Sequence, residues 1–182
     1  MRVISGTAKG HALYAPKGLG TRPTEDMVRE SFFNIISNMV RIEGCRFLDM
    51  FAGSGAMGIE ALSRGAGFAV FADSSKESVG TIRRNLAKTR LESRAAVYRS
   101  DAVKALKRLS GGEGFGIIYM DPPYGSGLCG QAVSCIAENG ILAGGGIVAA
   151  ELAAKEEIPC AGLGIIRIRE YPNSKIVFFG GI

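Results

Sequence analysis

A chain of 182 residues, 47% hydrophobic and 21% charged, has the apolar mass for one ordinary domain with a real core, which excludes a disordered or low-complexity protein. Its 22 basic residues against 17 acidic ones leave a formal charge of +5, a mild excess that suits a polyanionic partner and falls far short of a histone-like value. The four cysteines, Cys45, Cys129, Cys135 and Cys160, form no C-x-x-C pair and His11 is the single histidine, so no zinc site of the usual spacing is expected and the cysteines read as small core residues.

The first six residues lack the apolar centre of a signal peptide, and the uncharged stretch over residues 139–150 is glycine-rich and too short to span a bilayer. A cytoplasmic protein with no membrane association is therefore expected. Residues 1–24 hold Arg2, Lys9, His11, Lys17 and Arg22 and no acid, interleaved with Val3, Ile4, Leu13 and Tyr14 and punctuated by glycines and prolines. They read as a basic β-hairpin arm able to meet phosphates, ahead of a catalytic domain over 25–182. Thr24 followed by Glu25 and Asp26 predicts an N-cap, and Val28, Phe32, Ile35, Ile36 and Met39 predict a core-facing helix that stops at Gly44.

From residue 46 the pattern becomes strand, helix, strand, helix. Strands are predicted over 46–51, 68–72, 95–99 and 115–120, with helices after each, and further strands over 146–151, 164–170 and 175–179. Alternation of this kind implies a parallel sheet covered on both faces, and the short Pro172-Asn173 connection makes the last two strands antiparallel. Several of the basic residues between 83 and 108 read as solvated helix faces, with a phosphate-contacting subset among them.

The first predicted strand runs into Gly53-Ser54-Gly55-Ala56-Met57-Gly58, and Asp73 stands twenty residues beyond the first of these glycines. The glycines let a ligand approach the backbone, and an acid after the second strand suits a ribose diol. Either a nicotinamide dinucleotide or S-adenosylmethionine satisfies that much. Asp49 favours the sulfonium cofactor, because a carboxylate there repels a pyrophosphate and attracts an ammonium. Asp101, after the third strand, is placed to accept from an adenine amine.

The fourth strand delivers Asp121-Pro122-Pro123-Tyr124 to the carboxyl end of the sheet, where open α/β sheets place their chemistry. Two prolines stiffen the chain and fix its carbonyls. Asp121 and the Pro122 carbonyl can accept from the two hydrogens of a planar amine, and Tyr124 offers a face for the attached ring. Acceptors that favour the pyramidal, nucleophilic nitrogen act on the transition state, so transfer of a methyl group to a nucleobase amine is the expected reaction, with no metal required. The tetrapeptide does not separate guanine N2 from adenine N6. A DNA adenine methyltransferase and a non-catalytic RNA-binding assembly factor are the rival readings, with a nicotinamide oxidoreductase as the remote one.

Four segments together resemble the RsmD family of bacterial 16S ribosomal RNA guanine-N2 methyltransferases over nearly the whole chain: residues 2–10, 21–35, the loop 48–55, and 121–124. The resemblance implies a Rossmann-like seven-stranded, mostly parallel α/β sheet with an antiparallel final hairpin and a small N-terminal β-hairpin. It further implies S-adenosylmethionine as donor and a guanine of 16S rRNA, within an assembled small ribosomal subunit, as acceptor; a monomer is expected. By the same resemblance Asp49, Phe51, Gly53, Ser54, Gly55, Asp73, Asp101 and Ala102 meet the cofactor, and Asp121, Pro122 and Tyr124 hold the amine. Arg2, Lys9, His11, Arg22 and Pro123 meet RNA. The chain departs from the family pattern at His11, at Ser74-Ser75 and at Pro172-Asn173.

Overall fold

The computed structural model describes residues 1–16, 23–157 and 162–181; Lys17, Arg22 and Cys160 lie outside the described residues. In chain order the elements are α1 (Pro23–Ile36), β1 (Arg46–Met50), α2 (Ala56–Ser63), β2 (Phe68–Asp73), α3 (Lys76–Thr89), β3 (Ala95–Arg99) and α4 (Ala102–Leu109). There follow β4 (Phe115–Met120), α5 (Leu128–Glu138), β5 (Leu142–Ala153), β6 (Gly164–Glu170) and β7 (Ser174–Gly180). All seven strands form one sheet in the order β3-β2-β1-β4-β5-β7-β6. Strands β1 to β5 pair in parallel, and β7 runs antiparallel to both of its neighbours. The winding reverses between β1 and β4, the kind of switch point beside which open α/β sheets leave a crevice at the carboxyl ends of their strands.

Two apolar layers flank the sheet. On one face α1, α2, α3 and the N-terminal residues Val3, Ala8 and Leu13 cover Phe47, Phe71, Ile117, Tyr119 and Ala149. On the other, α4 and α5 cover Leu48, Val70, Ile118 and Val148. The alternation along each strand is what assigns these faces. Phe32 fixes α1 in place: its ring meets Phe33 edge-on at 4.9 Å, Tyr119 at 5.1 Å and Phe178 in a stack at 6.2 Å.

Helix α1 differs from its sequence expectation at both ends. It begins at Pro23, whose missing N–H costs nothing at a first helical position, so Thr24 falls inside the first turn and is not the cap. It ends at Ile36 and not near Gly44, because the Ser37 hydroxyl and the Asn38 amide both donate to the Asn34 carbonyl and compete with the helix for it. Strand β5 starts at Leu142, four residues earlier than expected. Gly144 and Gly145 look like a loop in sequence, yet the pairing with β4 absorbs them through a register shift between Phe115 and Ile117.

The N-terminal segment has one antiparallel bridge, Arg2 with Ala12, flanked by backbone bonds from Val3 to His11 and from Leu13 to Met1. It is packed down rather than projecting. Glu60, fully buried in α2, accepts from the Ile4 and Ser5 amides at 2.7 and 3.0 Å and pairs with Arg64 at 2.8 Å and Arg29 at 3.9 Å. Arg29, also buried, donates to the Arg2 carbonyl and to Asp26. Gly6, at φ +82°, sits against the Ser63 carbonyl, where any Cβ would collide with backbone.

Candidate active site

Register and alternation together put four carboxylates on one face of the sheet. Asp49 lies level with Phe71 on β2 and Tyr119 on β4, and Tyr119 is level with Ala149 on β5. Two residues further along three of these strands come Asp73, Asp121 and Glu151. All four therefore point to the side covered by α1 and α2, three in a row at the crevice rim and Asp49 one step below it. Depth separates their chemistry.

Asp49 is 2% exposed and accepts from the Gly58 amide at 2.9 Å. Burial pushes its carboxyl well above the usual carboxylate range; the nearby Asp121 and Asp73 charges push the same way, and only the Gly58 bond opposes them. Among the described residues no basic side chain pairs with it. A buried carboxylate of this kind fits a ligand that brings its own ammonium group. Asp73 accepts from the Gly53 amide and from the Ser75 amide, each at 2.8 Å, so the acid predicted for a ribose also braces the loop that would cradle the cofactor.

That loop turns through left-handed backbone at Phe51 (φ 58°), Gly53 (φ 54°) and Gly55 (φ 76°), and the Gly55 amide closes back on the Ala52 carbonyl at 2.6 Å. Phe51 holds this conformation without being glycine, a cost of about 1–3 kcal/mol that marks the turn as constrained by its surroundings. Ser54 is buried, its hydroxyl on the Met1 sulfur at 3.3 Å and its carbonyl accepting from Asn85 at 2.9 Å. These residues fit S-adenosylmethionine: an acid for the amine, an acid for the diol, and glycine backbone where the ligand passes. Asp101 caps α4, accepting from the Lys104 amide at 2.9 Å and pairing with its ammonium at 3.0 Å, which holds its carboxyl below the usual range. It is exposed, next to buried Ala102, so an adenine amine would share that carboxylate with the cap.

On the acceptor side Pro122 is buried while Asp121, Pro123 and Tyr124 are exposed, so the tetrapeptide is anchored by one ring and presents the rest to the crevice. Tyr124 is 54% exposed. Its hydroxyl is pushed up by what burial it has and by Glu151 and Asp121, against a hydrogen bond with Ser174 at the start of β7. Behind the loop, buried Tyr119 donates its hydroxyl to Glu151 at 2.9 Å, and burial followed by the charges of Glu151 and Asp121 raises its own ionisation far out of reach. Both tyrosines thus sense both carboxylates.

The predicted RNA contacts Arg2, Lys9 and His11 are exposed on the N-terminal segment, with the His11 ring donating to the Ala8 carbonyl at 2.9 Å. Farther round, Tyr14 lies under Arg84 (5.3 Å) and Lys88 (4.6 Å), so two of the basic residues that look solvated in sequence flank an exposed aromatic ring. Burial raises the thiols of Cys45 to about 11 and Cys129 to about 12, which keeps them protonated and inert. No group of three or more potential metal ligands occurs among the described residues. Sequence reasoning missed Glu60, Asn85, Tyr119 and Glu151. A glutamate inside a helix reads as solvated, and one at a strand end carries no motif.

The family described as Conserved hypothetical protein 95 matches residues 1–180. The Bacillus subtilis protein YlbH is 43% identical over 160 residues, covering 87% of this chain and 86% of its own. Ribosomal RNA small subunit methyltransferase D of Escherichia coli K12 is 35% identical over 159 residues, with 87% and 78% covered. The solved structure of Escherichia coli yhhF superposes with a TM-score of 0.85 at 31% identity, over 98% of this chain and 96% of that one.

Proposed function

This chain belongs to the RsmD family, and on that premise we propose that it methylates the exocyclic N2 amine of a guanine in 16S rRNA, within an assembled small-subunit particle, using S-adenosylmethionine. The observation that carries the reading is the Asp121-Pro122-Pro123-Tyr124 loop at the end of β4, one strand from Asp49 on β1 and two from Asp73 on β2, across the switch point. When bound, the cofactor supplies a methyl group already activated by positive sulfur, and the reading calls for no metal.

The chain's own residues then have three tasks. Asp49, Asp73 and Asp101, with the backbone of Phe51, Gly53, Ser54, Gly55 and Ala102, hold the cofactor by its amine, its ribose and its adenine. Tyr124 stacks on the guanine, and Asp121 and the Pro122 carbonyl accept from its N2 hydrogens. With the donor bound, the amine lone pair held by these residues would form the new N–C bond as the C–S pair returned to sulfur, and one amine proton would leave to Asp121 or to water. Residues 1–24, with Arg2, Lys9, His11 and Arg22, form with Pro123 the RNA-contacting margin of a catalytic domain over 25–182, and the protein acts as a monomer.

The test is tritium transfer from labelled S-adenosylmethionine to small-subunit particles from a strain lacking the protein, followed by nucleoside analysis. Label in N2-methylguanosine is expected. Label confined to N6-methyladenine in a parallel DNA reaction would refute the substrate while leaving the Asp121 chemistry intact.

A further inference from the structure

The Asp121 loop binds an amine but does not say which ring carries it, since adenine N6 and guanine N2 both offer two hydrogens to two acceptors. What differs is the ring atom beside the amine. In guanine N1 carries a hydrogen and donates; in adenine N1 is a lone pair and accepts. A fixed carboxylate facing that atom therefore attracts one base and repels the other.

Glu151 stands where such a group is needed. Met120 on β4 is level with Ala150 on β5, so Asp121, just past the end of β4, and Glu151, inside β5 near its carboxyl end, follow side by side on adjacent parallel strands, about 5 Å apart in backbone spacing. Both charges reach the Tyr124 hydroxyl, on the side chain proposed to stack the base, and both reach Tyr119 below. Tyr119 is 4% exposed, and its hydroxyl donates to Oε2 of Glu151 at 2.9 Å. A tyrosine kept protonated by burial can serve only as donor to that carboxylate, so the pair holds Glu151 in one orientation at the rim. The ring of Tyr119 is in turn fixed edge-on against Phe32 at 5.1 Å.

Resting on the guanine reading above, we propose that Glu151 is the specificity-determining residue of the acceptor site, accepting from guanine N1–H, and that Tyr119 is its positioning residue. The same contact assists the reaction. Pulling on the N1 hydrogen returns electron density to the amidine fragment of the ring and makes N2 a better nucleophile, without any proton leaving N1. Adenine in the same pose would set its N1 lone pair against the Glu151 carboxylate.

The experiment compares reconstituted particles carrying guanine or 2-aminopurine at the methylated position, the analogue keeping the amine while presenting a lone pair at N1. The wild-type protein should prefer guanine by about a hundredfold or more, as sites built around a substrate donor do. Glu151→Gln keeps the size and still accepts from Tyr119, and its amide can donate to the analogue, so that preference should shrink at least tenfold while calorimetric affinity for S-adenosylmethionine stays as in wild type. Tyr119→Phe should shrink it by a smaller factor. Asp121→Asn, which touches only the amine, should slow both substrates alike and leave the ratio unchanged. An unchanged ratio in both Glu151→Gln and Tyr119→Phe overturns the assignment of Glu151 and spares the guanine reading; a wild-type protein that labels adenine and not guanine overturns both.

Discussion

The two sides of the crevice use the same residue type in opposite ways. On the β1–β2 side each carboxylate already serves the backbone: Asp49 holds the Gly58 amide, and Asp73 holds Gly53 and Ser75. On the β4–β5 side residues 123–127 are exposed, and the Gly125 amide to Glu156 and the Ser126 amide to the Pro123 carbonyl make long bonds, both at 3.3 Å. The first side is built as part of the fold, while the second stays exposed, as the proposed entry of a base requires. Substitutions on the first side should therefore disturb stability and binding together, and those on the second should change the reaction alone.

The sharpest way to break the built side is through Glu60, whose removal leaves Arg29 and Arg64 as buried or half-buried cations and strips the Ile4 and Ser5 amides. Glu60→Ala is expected to lose about 3–5 kcal/mol in a denaturant titration. On the open side, Asp121→Ala should cut methyl transfer roughly a hundredfold to a thousandfold in single-turnover assays while its melting temperature and cofactor affinity stay near wild type.

Asp49→Asn sharpens the contrast further, because stability and binding should move in opposite directions. The folded protein raises the Asp49 carboxyl, so the stability it contributes is present below its unfolded pKa and is lost as pH rises through the folded value. The neutral amide avoids that loss and can still accept from Gly58. A higher melting temperature than wild type is expected at pH 7, with the gap closing toward pH 4, together with about 2 kcal/mol weaker binding of S-adenosylmethionine by calorimetry. In the wild-type protein that affinity should rise with pH until Asp49 is ionised without ligand. The smallest effect belongs to Tyr124: Phe in its place should retain nearly full activity, and Ala should raise KM for the RNA about tenfold, the worth of one stacked base.

Much of this was readable beforehand. The bounds of β3, β4 and β6 follow directly from β-rich runs, Asp73 and Asp121 are the acids that close the second and fourth of the predicted strands, and Asp49 stands inside β1, one residue before its end. What escaped shares a cause. Glu60 and Asn85 are polar residues on helices; apart from the Glu60–Arg64 pair one turn on, their side-chain partners lie 31 to 71 positions away, and no local period announces such a partner. Glu151 closes a run of small residues and acquires meaning only when parallel pairing sets it next to Asp121. The end of α1 escaped for the reverse reason: apolar residues continue in period as far as Met39, and the Ser37 and Asn38 side chains end the helix underneath them.

Asn85 joins parts of the molecule that are far apart in sequence. Its carbonyl oxygen takes the Tyr14 amide at 2.8 Å, and its amide nitrogen serves both the Tyr14 carbonyl and the Ser54 carbonyl at 2.9 Å. The start of the chain and the glycine loop thus hang on one fully buried side chain. Trimming the first fourteen residues to ask what they do for RNA would strip two of those three bonds and the Met1 sulfur from Ser54 as well, so a truncated protein would report on its grip on the methyl donor before it reported on anything else.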